Sequence, residues 1–269
     1  RFTMKLELLG TLFLSDKRKD LLLLLIVGPR NIDEIKNILN VNTSAIMTQI
    51  KILISQGLII YEDDLYKLSD IGEVVVKKMK PLLDTLEVFS KHMDYWENHN
   101  IKAIPVNLLD RIDDLGSCEF VEPDLDRMYE IPLKIEEKLT SSVHIMEVSS
   151  YFNPAYSSTY VELIKKGTEV SLIVTDPVFE RLKNEYSSSF KEYLTRDNAK
   201  IFVCDCPIRL ASSVVTDHFM ALSLFYKNGI YYNHAMMSLE KTALKWGEDL
   251  FLHYMKYSRE IRELECEKV

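Results

Sequence analysis

Between Asn31 and Leu68 the apolar positions change their period twice, and the change predicts the local fold. Ile32, Ile35, Ile38 and Leu39 recur at helical spacing. In front of them, Asn31 and Glu34 have the spacing of a capping box, so a helix is expected to start there. Asn40-Val41-Asn42 interrupts it, because short amide side chains bond nearby backbone and favour turns. A second helix is expected from Thr43 to Gln56, ended by Gly57 in a left-handed conformation. Ile46, Ile50 and Leu53 form its apolar flank, while Ser44, Thr48, Lys51 and Ser55 point the other way at about 100° per residue. Leu58-Ile59-Ile60-Tyr61 and Leu65-Tyr66-Lys67-Leu68 then read as a β-ribbon around Glu62-Asp63-Asp64. Helix, turn, helix and ribbon is the plan of a winged helix-turn-helix, whose second helix lies in the major groove of duplex DNA.

On that plan Thr43, Ser44, Met47, Thr48 and Lys51 are the candidate DNA-contacting residues: short polar groups and a cation meet base edges and phosphates. Two amphipathic helices and a hairpin also occur in plain helical domains. The acidic ribbon tip argues for caution, since phosphate neutralisation supplies most non-specific affinity. The alternative is an interaction module whose winged helix docks protein rather than DNA.

Flanking segments extend the pattern. Met4 to Leu14 reads as a first helix, and Ser15 or Asp16 is expected to cap the next, through Leu21 to Val27. After the ribbon, Ser69-Asp70 opens a long helix, with Glu73 as the far half of a capping box from Asp70. Within it Val75, Met79, Leu82, Leu86, Phe89, Met93 and Trp96 step alternately by four and three, the heptad seam of a helix that packs along another. Pro81 is expected to kink or split this helix. A seam of this kind favours a homodimer, which supplies two recognition helices for two half-sites. His99-Asn100 through Pro105 reads as a hinge.

From Val106 onward strands and helices alternate, the signature of an α/β domain. Strands are expected at Val143 to Val148, Val170 to Val174 and Ile201 to Val203. Helices are expected at Tyr156 to Lys166, closed by Gly167, and from Pro177 toward Tyr186. Val214 to Tyr226 and Ile230 to Met237 read as a long hairpin around Asn228-Gly229. A final helix from near Leu239 shows Leu250, Tyr254, Tyr257, Ile261 and Leu264 on one stripe. The expected architecture is therefore an α+β winged-helix domain (1–70), a long connecting helix and hinge (71–105), and an α/β sensor domain (106–269).

Composition narrows the function classes. The 269 residues suffice for two domains, and 8 Gly with 8 Pro leave little room for disordered linkers. The net charge of -8, from 33 basic and 41 acidic residues, disfavours a DNA-coating protein but not a regulator with one small contact face. The longest wholly apolar run, Leu21 to Val27, is far short of a membrane span, and no N-terminal signal pattern is present, so a cytoplasmic protein is expected. Cys118, Cys204, Cys206 and Cys266 do not make a secreted disulfide framework. Cys204-Asp205-Cys206 without a second pair is a weak metal signature, and no metal is expected.

Three stretches carry a resemblance to a known family: Val215-Thr216-Asp217, Leu224 to Tyr231 (LFYKNGIY), and Leu244 to Phe251 (LKWGEDLF). With them the chain resembles, over nearly its whole length, the archaeal methanogenesis-regulator family of the Fil type. In that family an ArsR-like winged helix precedes an α/β sensor module. The resemblance implies a cytoplasmic archaeal transcription regulator and supplies no ligand. The α/β half is also distantly similar to one repeat of the phospholipase-D fold, whose catalytic unit is His-x-Lys followed by Asp. Here the nearest equivalent is His218-Phe219-Met220, without the lysine that would neutralise a phosphoryl group.

No Gly-x-Gly-x-x-Gly, Walker, His-Glu-x-x-His or Gly-x-Ser-x-Gly motif is present, so neither catalysis nor a cofactor is expected. Asp217 and His218 are the only acid–histidine neighbours, and on a strand they would face opposite ways. For an effector pocket the candidates are Tyr151, Asp176, Asp217, His218 and Tyr232, polar or aromatic groups near strand ends and the hairpin.

Overall fold

A computed structural model of the protein describes residues 6–126, 128 and 130–262. Met4, Leu264 and Cys266, to which the sequence assigned places, lie outside these residues. The chain forms two compact units, Arg1–Asp84 and Thr85–Val269.

The first unit contains α1 (Leu6–Phe13), α2 (Asp16–Leu25), α3 (Ile32–Leu39), α4 (Thr43–Ser55), the ribbon β1 (Ile59–Glu62) and β2 (Leu65–Leu68), and the start of α5 (Asp70–Ser90). The capping box forms as expected. Asn31 Oδ1 accepts from the Asp33 and Glu34 amides at 3.0 and 2.9 Å, and Glu34 Oε2 accepts from the Asn31 amide at 2.9 Å. Asn40 then ends α3 with φ 50°, and Asn42 caps α4 by accepting from the Ala45 amide at 2.8 Å. Leu21, Leu22, Ile35, Ile46, Ile50, Leu53, Leu58 and Val76 are fully buried together.

Ile38 departs from the expected stripe and is 56% exposed. Viewed from Ile35, Ile32 and Leu39 lie roughly 60° and 40° to one side and Ile38 roughly 60° to the other. The core covers only the first side. In the ribbon Glu62 pairs with Leu65, and both intervening residues, Asp63 and Asp64, have positive φ (53° and 62°). This is the two-residue turn whose twist suits a hairpin.

Helix α5 starts differently from expectation. Ser69, not Asp70, is its cap: Ser69 Oγ accepts from the Gly72 amide at 2.9 Å, while Glu73 pairs with Lys77 at 3.1 Å. The helix runs past Pro81 to Ser90, and a short break at 91–92 separates it from α6 (Met93–Asn98). The expected seam is thus divided between two helices. Met79 and Trp96 are buried, whereas Leu82, Leu86 and Met93 are exposed.

The second unit continues with α7 (Val106–Leu109), β3 (Cys118–Val121), α8 (Leu133–Ser141), β4 (His144–Ser149), α9 (Thr159–Lys166) and β5 (Glu169–Val174). It then runs through α10 (Asp176–Glu185), α11 (Ser187–Thr195), β6 (Ala199–Cys204), β7 (Ser212–Thr216), β8 (Met220–Ser223), β9 (Ala235–Ser238), α12 (Lys241–Met255) and β10 (Ser258–Ile261). The eight strands form one mixed sheet in the order β10-β6-β5-β4-β7-β8-β9-β3. β4, β5 and β6 are parallel, and the other pairings are antiparallel. Period-two alternation gives the sheet two cores. Val148, Ile173, Val215 and Leu222 pack with Trp246 and Leu250 of α12. Ile145, Leu172, Val214 and Val203 pack with residues of α8, α9, α10 and α11.

Several expectations are corrected here. The run from Val214 to Tyr226 is not one strand: β7 ends at Thr216, and Thr216 Oγ1 accepts from the His218 and Phe219 amides, making a turn at Asp217-His218. Asn228-Gly229 does turn, with Gly229 at φ 83°, but inside a loop between β8 and β9. The last helix ends at Met255, and Ile261 lies on β10 against β6. Residues 99–105, expected as a hinge, belong to the second unit. His99, Ala103 and Ile104 are buried, and the Asn100 amide donates to Phe225 O at 2.9 Å. The division between units falls instead within α5.

A candidate nucleic-acid interface and a tyrosine-lined cavity

Helix α4 presents Thr43, Ser44, Thr48, Lys51 and Ser55 to solvent, opposite its buried Ile46, Ile50 and Leu53. Thr48 Oγ1 donates to Ser44 O at 3.0 Å, leaving the hydroxyl oxygen outward as an acceptor. Lys51 makes no ion pair with any described residue. Met47 is half-buried, its Sδ 3.7 Å from the Tyr66 hydroxyl, so part of that side chain is spent on the ribbon. Arg18 of α2 braces the helix: its guanidinium donates to Gln49 Oε1 at 2.9 Å and to the carbonyls of Thr11 and Gly10. At the ribbon end Lys67 neutralises Glu62 at 2.5 Å, so the uncompensated charge of the tip is that of Asp63 and Asp64.

The second unit holds a cavity of about 480 Å³, lined in part by Tyr151, Phe152, Tyr231, Tyr232 and His234. A recess of about 40 Å³ adjoins it, sharing Tyr151, Asn153, Tyr231 and Asn233 and reaching Glu147. Glu147 lies on β4, one position past the fully apolar Ile145 on the same face, and is 4% exposed. The hydroxyls of Tyr156 (2.6 Å) and Tyr160 donate one to each of its carboxylate oxygens. Burial pushes the Glu147 carboxyl up to about 7, and the two hydroxyls only partly oppose this. Burial, reinforced by the Glu147 charge, holds the Tyr151, Tyr156 and Tyr160 phenols protonated. The Tyr231 hydroxyl stands 3.3 Å from that of Tyr151 and 3.2 Å from Asn233 Oδ1. His234 Nδ1 is buried without a hydrogen-bond partner, and burial lowers the pKa of the ring, keeping it neutral.

Of the five expected pocket residues, Tyr151 and Tyr232 meet in this cavity, and Asp217 and His218 meet away from it. Asp176 begins α10 and pairs with Arg259 at 3.3 Å. Asp217 accepts from the Val143 and His144 amides at the amino end of β4, whereas Tyr151 follows its carboxyl end. These backbone donors and His218 outweigh partial burial and hold the Asp217 carboxyl below its ordinary range. His218 Nε2 lies 3.0 Å from Asp217 Oδ2. The two were expected to face apart, but they sit in a turn rather than on a strand, so alternation does not separate them. Sequence reasoning missed Glu147, Tyr160, Tyr231 and His234. A carboxylate inside the apolar run Val143 to Val148 was the available signal.

Among the described residues no group of three or more metal-ligating side chains converges, and no helix is long and apolar enough to cross a membrane. Cys204 and Cys206 are free thiols with sulfurs 3.1 Å apart.

Family models place the chain among known proteins. The model of the N-terminal domain of methanogenesis regulatory protein FilR1 matches residues 6–87, and that of its middle domain matches residues 128–257. The methanogenesis regulatory protein FilR1 of Methanothrix harundinacea (strain 6Ac) is 25% identical over 260 residues, which cover 95% of this chain and 58% of the relative. The chain thus spans less than two thirds of that relative's length. Among solved structures, the archaeal chromatin protein TrmBL2 is 12% identical, with a TM-score of 0.44 over 92% of this chain and 94% of its own. The phospholipase D family member Nuc from Salmonella typhimurium is 13% identical, with a TM-score of 0.41 over 55% of this chain and 99% of its own. Both structural likenesses are loose. By its two matching domains, in the same order, the chain belongs to the family of methanogenesis regulatory protein FilR1.

Proposed function

We propose that the protein is a cytoplasmic, DNA-binding transcription regulator that acts as a homodimer and whose second unit senses a small molecule. The observation that carries this reading is the outward face of α4, where Ser44, Thr48 and an unpaired Lys51 stand on a helix fixed from behind by three fully buried residues. The family name, a regulatory protein, supports the same reading. Exposed Leu82 and Leu86 on α5 supply apolar surface for a second copy. Sensing requires that the effector prefer one arrangement of the protein over another, since only differential affinity shifts an equilibrium.

The second unit has sheet-and-helix layering in keeping with a phospholipase-D-like half-domain. In the nearest equivalent of that fold's His-x-Lys motif, His218-Phe219-Met220, a methionine stands in place of the lysine, and on that reading we assign the unit binding and not catalysis. A second reading, protein docking through the winged helix, is favoured by one specific feature: the acidic turn Asp63-Asp64, which phosphates would repel. Fluorescence anisotropy with the duplex just upstream of the protein's own gene separates the two. Saturable binding that exceeds binding to a shuffled duplex, and weakens with salt, is expected. Equal binding to both duplexes, or none, overturns the DNA reading.

A further inference from the structure

The geometry points to the tyrosine-lined cavity as a binding site for a small organic cation, an alkylammonium or quaternary ammonium ion. This rests on the sensing role just proposed and gives it a ligand class. Three features converge. Tyr151, Tyr231 and Tyr232 line the cavity, and aromatic faces attract cations through the ring quadrupole, most strongly where water is excluded. The polar groups within reach include the Glu147 carboxyl in the recess, which already accepts from Tyr156 and Tyr160, and His234, whose Nδ1 is buried without a partner. Finally, no lysine or arginine among the described residues lines either space.

Charge selects between ligand classes. An anion would be desolvated beside the Glu147 carboxyl. A neutral apolar molecule gains nothing from the ring quadrupoles. An ammonium or quaternary head does, and in the recess it would stand near the Glu147 carboxyl. The recess, at about 40 Å³, admits nothing much larger than an ammonium-sized group, so the body of the ligand lies in the larger cavity. Arg181, whose guanidinium lies over Phe152 at 4.4 Å, is neutralised by Glu185 at 3.0 Å.

The test is calorimetric titration of the full chain, without DNA, using choline and butylammonium. The controls are the neutral isostere of choline, in which carbon replaces the quaternary nitrogen, and the matching carboxylate anion. At least one cation should bind about tenfold or more tightly than the neutral isostere, and the anion should not bind. Glu147→Gln should weaken that cation by a similar factor. Tyr232→Ala, at the exposed mouth, should weaken it several-fold while the melting temperature stays at the wild-type value. If both cations fail to bind at about 10 mM, a concentration that still detects millimolar affinity, the proposal is overturned. It is overturned equally if the neutral isostere matches choline, or if the anion binds best. None of these outcomes bears on DNA binding, which the anisotropy experiment reads separately.

Discussion

In water a glutamate gives up its proton near pH 4.5; at position 147 burial moves that event to about 7. Between those values the native protein keeps a proton that the unfolded chain has released. Stability therefore falls as pH rises through that window and levels off above it. The full effect is on the order of 3 kcal/mol. The surrounding tyrosines titrate far higher, and the buried histidines titrate equally in wild type and variant. Urea denaturation at pH 5 and pH 8 should show wild type losing about 2–3 kcal/mol more than Glu147→Gln over that interval. Parallel profiles would remove the claim. Two glycines make a second contrast at this scale. Gly57 has φ +73° with open space where a Cβ would stand, so Gly57→Ala should cost only conformational strain, about 1 kcal/mol. A Cβ on Gly72 would stand 2.0 Å from Leu58 O, so Gly72→Ala must displace backbone and should cost about 3 kcal/mol. Thermal melts that rank the two in the opposite order contradict both explanations.

Among the elements, α4 carries the functional prediction. If Lys51 meets a phosphate, Lys51→Ala should flatten the slope of log affinity against log salt by about one. An unchanged slope places it off the backbone of the duplex. This helix was legible in the sequence because its signals are local: Asn42 caps, Gly57 stops, and Ile46, Ile50 and Leu53 fix the inward side. The strands at 143–148, 170–174 and 201–203 were legible for the same reason. The four-residue β3 was not, because it is held by pairing with β9, more than a hundred residues away in sequence. Nor was α11, which buries only Phe190 and Tyr193. The seam on α5 was half legible: its spacing is real, but the break after Ser90 moves Met93 and Trp96 onto another helix. The cavity was hardest to read, since Glu147, Tyr160 and Tyr231 come from three separate elements and meet only when the sheet is assembled. Closeness to strand ends and to the loop after β8 singled out Tyr151 and Tyr232, which share the cavity, and equally Asp217 and His218, which lie at the other end of β4.

For the whole molecule, the open question is assembly. Leu82 and Leu86, 48% and 53% exposed, are one turn apart on α5 and continue the step set by Met79. A helix with such a strip gains by pairing with its own copy. Sedimentation velocity at micromolar concentration should report a dimer for wild type and a monomer for Leu86→Glu. The variant should keep its secondary structure, because the substituted side chain is already in water. A dimeric variant transfers the contact elsewhere and leaves α5 with a different role.

The hairpin turn between β1 and β2 bears on what the first unit can approach. Both of its central residues adopt backbone angles that an Asn-Gly pair takes with less strain, and with no electrostatic repulsion between neighbours. Two carboxylates held there instead leave the ribbon tip with an uncompensated negative charge, which repels any polyanion that approaches it. Replacing the pair by Asn-Gly should yield a sturdier hairpin and, if the first unit binds DNA as proposed, weaker discrimination between duplexes.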